Sequence, residues 1–199
     1  MIYKFDIQNN IYEKLLQFSK DNSLEYNLNL VGNIKEEYSL LKYAPFVEPF
    51  ILDELLKIDS LVSYFKDLKI MHPFGLNLKL SDFWVNYQKK HEFNPFHNHS
   101  GIFSFILFIK IPFLCDQEKL ISPGLKSNGD KAGKLSFFYL NSDVEGGISE
   151  KVFDVDKNWE KKGLIFKSNL NHMVYPFFSE GERITMSGNL SFNTTQIKR

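Results

Sequence analysis

Two rhythms of apolar and polar positions run along the chain. Up to about residue 70 the apolar residues fall at helical spacing. Ile11, Leu15, Leu16 and Phe18 fit one helix over Ile11–Phe18. Ile51, Leu55, Leu56, Ile58, Leu61, Val62, Tyr64 and Phe65 form a broad stripe over Phe50–Leu68, with Glu54, Lys57, Asp59 and Lys66 between them. Glu48-Pro49 offers that second helix a start. The mixed stretch 27–43 predicts a short strand and a helical turn.

From residue 74 the period falls to two. Leu76, Leu78 and Leu80 alternate with Asn77 and Lys79. Strand-like runs follow at Phe83–Lys89, Ile102–Pro112, Lys134–Leu140, Leu164–Lys167, His172–Phe177 and Ile184–Phe192. Turn residues separate them, among them Asn94-Pro95, Gly146-Gly147 and Gly181. Many short strands with turn signals predict a β-sandwich or barrel. The expected organisation is one domain over 1–199, an α+β chain: 1–70 is a helical and mixed part that packs on an all-β core at 71–199. Two long connections, about 113–132 and 142–160, interrupt the strands, and loops of that length are more often functional than idle.

Composition narrows the function classes. With 199 residues, 43% hydrophobic and 24% charged, the chain can bury a full core. Lys plus Arg equals Asp plus Glu at 24 each, so no global field draws in nucleic acid, and no extended nucleic-acid track is expected. The single cysteine, Cys115, excludes a disulfide framework and a thiolate zinc cluster, and reads as a structural or incidental thiol. Met1–Asp6 lacks the charged and apolar regions of a secretory leader, and Ile102–Leu114 is too short and too interrupted to span a bilayer. A cytoplasmic protein without membrane attachment is the expectation.

Three of the five histidines carry the candidate chemistry. His97 and His99 form His-Asn-His directly before the long apolar strand, and residues i and i+2 of an extended backbone share a face. Two imidazoles on one face converge on one ion, and neutral imidazole suits iron, zinc, copper or nickel. Asn98 points the other way. His172 follows 73 residues after His99, at the start of another strand. Eleven residues on, Arg183 opens a run in which Arg183, Thr185, Ser187 and Asn189 share one face. A face that polar reads as the wall of an anion pocket, with Arg183 gripping a carboxylate through parallel hydrogen bonds. His72 and His91 lack a partner at ligand spacing and read as ordinary polar residues. Asp154 and Asp156, among Lys151, Lys157 and Lys161, read as a solvated loop. The Phe-rich strand 103–113 reads as core.

These segments resemble a known family. Trp84-Val85-Asn86-Tyr87-Gln88, Asn94-Pro95-Phe96-His97-Asn98-His99-Ser100-Gly101 and His172-Met173-Val174-Tyr175-Pro176-Phe177 are similar to the 2-oxoglutarate/Fe(II)-dependent oxygenases, and more narrowly to a phage-associated branch related to prolyl hydroxylases. Leu30–Tyr38 resembles the N-terminal segment of that branch. The resemblance implies a double-stranded β-helix, a cupin-like jelly roll. It implies Fe(II) held by His97, His99 and His172, with 2-oxoglutarate and O2 as co-substrates. Arg183 then binds the far carboxylate of 2-oxoglutarate, Tyr87 helps from an early strand, and Thr185 or Ser187 adds a hydroxyl. One departure stands out: His99 occupies the position where the superfamily usually carries a carboxylate, which leaves three neutral ligands.

The activity so implied is a dioxygenase, a hydroxylase that couples oxidative decarboxylation of 2-oxoglutarate to succinate with oxidation of a second substrate. That substrate is a protein or peptide side chain or a small metabolite, with peptidyl proline the leading expectation on fold analogy. Two alternatives stay open at this point: a cupin-like three-His metalloenzyme that uses no 2-oxoglutarate, and a non-catalytic metal-binding or structural relative. A homodimer is as open as a monomer, and a phage-encoded chain would work in the host cytoplasm.

Overall fold

In the computed structural model, which describes residues 1–58, 61, 71–72, 75–141 and 146–193, every strand pairs antiparallel with its neighbours. The strands are β1 (Ile2–Asp6), β2 (Glu37–Ser39), β3 (Met71–His72), β4 (Gly75–Leu76), β5 (Leu78–Lys89), β6 (Asn94–His97), β7 (Phe103–Lys110), β8 (Leu135–Leu140), β9 (Ile148–Phe153), β10 (Lys162–Lys167), β11 (His172–Val174) and β12 (Glu182–Phe192). One sheet has the order β1-β10-β7-β12-β5-β2 and the other β6-β11-β8-β9, while β3 and β4 form a separate pair. Helices α1 (Asn9–Phe18) and α2 (Ala44–Leu56) precede the jelly roll, and a short α3 (Cys115–Ile121) lies after β7. This is the expected double-stranded β-helix. No helix among the described residues is long and apolar enough to cross a membrane.

Alternation along the strands of the large sheet builds two cores. Phe105, Leu107 and Ile109 of β7, Ile165 of β10, Phe83 and Val85 of β5 and Met186 of β12 face the helices and meet Leu15, Val47, Ile51 and Leu55. Ile106 and Phe108 of β7 with Leu164 and Phe166 of β10 face the small sheet and meet Leu135, Phe137 and Phe177. Strand β7 is apolar at nearly every position because both its faces are covered. Gly188 lets β12 lie close to that core: a Cβ there would come within 2.6 Å of the Phe105 ring and 2.7 Å of the Asp82 carbonyl.

Several boundaries differ from the periodic reading. Helix α2 starts at Ala44, with Pro45 in its first turn and Pro49 inside it, so Glu48-Pro49 is not its start. Most of the rest of the expected helix, residues 59–60 and 62–68, lies outside the described residues. Asn94-Pro95 is strand rather than turn, and the proline is tolerated because β6 is an edge strand. The strand at His172 stops at Val174, two residues before Pro176. The connection 142–160 contains β9, whose residues are almost all exposed, so no face of it shows an apolar stripe. The side chain of His72 lies outside the described residues.

Candidate metal centre

The small sheet brings two imidazoles together by register. His97 ends β6 and His172 opens β11, and the two are direct cross-strand partners with ring centroids 4.2 Å apart. His99 lies beyond the end of β6. Its backbone N–H donates to the Ser168 carbonyl at 2.9 Å, and Gly101 follows with φ +100°, where a Cβ would sit 2.8 Å from the Leu190 carbonyl. That left-handed turn admits glycine cheaply and swings the chain from the His motif into β7. One ligand atom from each of the three histidines lies within 4.8 Å of the other two. His99 Nε2 and His172 Nε2 are 3.2 Å apart.

The second nitrogens set the tautomers. His97 Nδ1 lies 2.6 Å from the Pro95 carbonyl and His172 Nδ1 lies 2.9 Å from the Leu170 carbonyl. A carbonyl only accepts, so each Nδ1 carries the proton and each Nε2 presents its lone pair to the centre. Burial lowers the pKa of all three: His99 falls to about 4, with His97 adding to the effect, and His172, 2% exposed, falls well below the ordinary value. Three neutral imidazoles aimed at one point fit a borderline divalent metal. Asn98 is exposed and donates to Asn171 Oδ1 at 3.1 Å, so it takes no part in the triad.

The same cavity, of about 210 Å³, is lined by Arg183, Thr185, Ser187 and Asn189 of β12 as well as by the histidines. Arg183 is 2% exposed. Its Nε and one Nη donate to Gln88 Oε1 at 3.0 and 2.6 Å, and the remaining bonds go to the carbonyls of Gly133 at 2.6 Å and Tyr175 at 3.2 Å. The Phe113 and Phe177 rings pack on its guanidinium at 5.8 and 5.5 Å. Burial pulls its pKa down to about 10, which leaves it cationic at neutral pH. Every one of these partners is neutral, and among the described residues no carboxylate lies within ion-pair distance of Arg183. A buried cation so placed fits an incoming carboxylate.

Tyr87 departs from the expectation. Its hydroxyl donates to the Ser19 carbonyl at the end of α1, and its ring packs in the core under the helices. Alternation along β5 explains it: Asp82, Trp84, Asn86 and Gln88 face the cavity while Phe83, Val85 and Tyr87 face the helices. The residue beside Arg183 is Gln88, its cross-strand partner. Gln88 and Asn86 were readable from the alternation of Trp84-Val85-Asn86-Tyr87-Gln88. Glu37 and Asn94, which also line the cavity, carry no such signal.

The other residues fall as follows. His91 has φ 69° and packs on Phe178, away from the triad. Asp154 pairs with Lys134 at 2.8 Å. Asp156 is not a free loop carboxylate, because it caps the 3-10 turn Lys157–Trp159 by accepting from Asn158 N–H. Burial pushes the Cys115 thiol up to about 11, so it is no nucleophile at neutral pH.

A family model described as 2OG-Fe(II) oxygenase matches residues 82–189, which include all three histidines and Arg183. No curated protein sequence matches the chain. Among solved structures, HygX from Streptomyces hygroscopicus, with nickel and 2-oxoglutarate bound, aligns over 97% of this chain and 83% of its own at 12% identity and a TM-score of 0.56. A prolyl-4-hydroxylase from Pseudomonas putida aligns over 96% and 92% at 12% identity and a TM-score of 0.53. An oxidoreductase of the 2OG-Fe(II) oxygenase family from Burkholderia pseudomallei aligns over 57% of this chain and 43% of its own, at 13% identity and a TM-score of 0.39. At these identities the first two likenesses establish the fold.

Proposed function

The chain belongs to the 2OG-Fe(II) oxygenase family, and from that premise we propose that it is a hydroxylase whose metal sits on His97, His99 and His172 and whose 2-oxoglutarate is anchored by Arg183. The observation that carries this reading is the pairing, across one cavity, of three neutral convergent imidazoles with a buried guanidinium that has only neutral partners. When bound, iron(II) and 2-oxoglutarate supply the oxidising chemistry: 2-oxoglutarate and O2 give succinate and CO2 while one oxygen atom becomes the hydroxyl of the product.

The chain's own residues orient and exclude. The Pro95 and Leu170 carbonyls hold His97 and His172 in the ligating tautomer. Gln88 and the Gly133 carbonyl fix the plane of Arg183 against the cavity. Thr185 accepts from Asn86 at 3.2 Å, which leaves its own hydroxyl proton for the co-substrate carboxylate. Ser187 stands next on the same face. Ile106, Phe108, Leu135 and Val174 give the cavity an apolar wall that keeps water from the reacting atoms. With His99 in the usual carboxylate position the site is one negative charge poorer, so dianionic 2-oxoglutarate balances Fe²⁺ by itself, and metal retention depends on the co-substrate.

The same proposal takes 1–199 as one domain, since α1 and α2 complete the core behind the cavity wall, and reads the chain as one of the phage-associated, prolyl-hydroxylase-like branch. Peptidyl proline is the first substrate class to try. The test is calorimetric binding of 2-oxoglutarate to Fe(II)-loaded protein without O2, followed by a succinate assay in air. Stoichiometric binding that Arg183→Ala weakens by on the order of 30-fold or more supports the reading. An iron-loaded protein that binds no 2-oxoglutarate would sink it in favour of a cupin-like three-His enzyme.

A further inference from the structure

Three glutamates are buried among the described residues, and two of them have obvious partners. Glu54 pairs with Lys57 at 2.6 Å. Glu118 accepts from the backbone N–H groups of Phe178 and Ser179 and from the Ser179 hydroxyl. The third, Glu37, is 1% exposed and has almost nothing. Its Oε2 accepts from Asn27 Nδ2 at 3.3 Å, but that amide already reaches the Ile34 carbonyl at 2.9 Å and the Lys35 carbonyl at 3.2 Å. Its Oε1 accepts no hydrogen bond among the described residues. Burial, with the Glu92 carboxylate adding to it, pushes its pKa up to about 7.

Glu37 lines the cavity that holds the histidine triad. It is the cross-strand partner of Asn86, and Asn86 is the partner of Thr185 on the other side. Glu37, Asn86 and Thr185 therefore form one row on the cavity face, and two strand spacings put Glu37 roughly 10 Å from β12. That distance separates it from the anion grip at Arg183. Tyr26, whose backbone N–H donates to the Glu37 carbonyl at 2.9 Å, also lines the cavity, and its hydroxyl donates to Asp82 at 2.9 Å.

A buried carboxyl with a single long hydrogen bond costs stability, and a ligand that completes it offsets that cost. Resting on the oxygenase reading, we propose that Glu37 binds a positively charged nitrogen of the prime substrate, an ammonium or guanidinium, and so selects cationic over neutral substrates. A carboxyl at this place disfavours dianionic 2-oxoglutarate and favours a second, basic molecule. A peptide fits if it brings a free amine or a Lys or Arg side chain to this position.

The experiment uses the full chain loaded with Fe(II) and 2-oxoglutarate without O2, so that binding is read without turnover. Butylamine, benzylamine and L-prolinamide are titrated by calorimetry, each beside its neutral N-acetyl derivative. At least one cation is expected to bind about 30-fold more tightly than its acetylated counterpart, the size of a buried charge pair. Glu37→Gln, nearly isosteric, should erase that preference while 2-oxoglutarate affinity stays unchanged, and Glu37→Asp should keep part of it. The proposal is overturned if no cation outbinds its acetylated counterpart, or if Glu37→Gln keeps the preference. Equal binding of the two probe types would mean a neutral Glu37 donating to a carbonyl. Protein that binds the cation but no 2-oxoglutarate would uphold Glu37 and sink the co-substrate reading.

Discussion

Acidification of the metal-free chain puts a number on the buried histidines. His97, His99 and His172 have folded-state pKa values below the ordinary 6.5. The unfolded chain therefore takes up protons that the folded chain refuses, so stability is lost as pH falls below 6.5. Each group withdraws at most about 1.4 kcal/mol per pH unit in that range, so at pH 5.5 the three together withdraw no more than about 4 kcal/mol. Glu37 works in the opposite direction. Its folded-state value of about 7 lies above the ordinary 4.5, so its penalty is relieved as pH falls from 7, by about 2 kcal/mol at pH 5.5. The net loss is at most about 2 kcal/mol, or a melting temperature at most about 4–8 °C lower in a domain of this size. In Glu37→Gln the offset is gone and the fall is larger by the share that Glu37 relieves. With metal bound, protonation must first displace the ion, and the profile stays flat to lower pH. Thermal unfolding by circular dichroism at pH 7.5, 6.5 and 5.5, with chelator and with added Fe(II) or Ni(II), reads all of this. A chelated Glu37→Gln protein whose melting temperature does not fall, or falls equally with metal present, refutes the reasoning.

Other substitutions isolate single roles. His99→Asp should retain iron by restoring the usual carboxylate, whereas His99→Ala should lose it, as measured by bound metal after desalting in the presence of 2-oxoglutarate; full iron retention in the alanine variant would remove His99 from the ligand set. Arg183→Lys keeps the charge but loses the fork on Gln88, and should weaken 2-oxoglutarate by about 10-fold or more with little change in metal content, read by calorimetry. Tyr87→Phe should leave 2-oxoglutarate affinity unchanged and lower the melting temperature slightly through the lost bond to Ser19. Gly188→Ala should cost about 1–3 kcal/mol by denaturant unfolding, because Phe105 must shift for the new methyl.

The order of the strands and the site's main parts were legible because period-two patterning and ligand spacing are local properties. Arg183, Thr185, Ser187 and Asn189 occupy the one face that their alternation prescribes. The His-x-His motif brings His97 and His99 together although only His97 lies in a strand. The family resemblance puts Tyr87 at the co-substrate, but the parity of β5 puts it on the helix side. Its neighbours Val85 and Phe83 are core, and parity sends it with them. Strand β9 escaped because neither of its faces is buried. Glu37 was invisible because its meaning depends on the absence of a partner, which only the folded arrangement of β2, β5 and the segment before them reveals.

Strand β12 lies between β7 and β5, with one face in the helix-side core and the other in the cavity. Over Arg183–Asn189 it therefore has little room to drift. A saturation scan of this segment should show two interleaved patterns of intolerance. Variants at Ile184, Met186 and Gly188 should disappear from the soluble fraction. Variants at Arg183, Thr185 and Ser187 should fold more often yet fail in the co-substrate assay. Diversification toward new substrates is then left to the other side of the cavity, where the irregular segment 26–37 can change its side chains without disturbing the sheet beneath it.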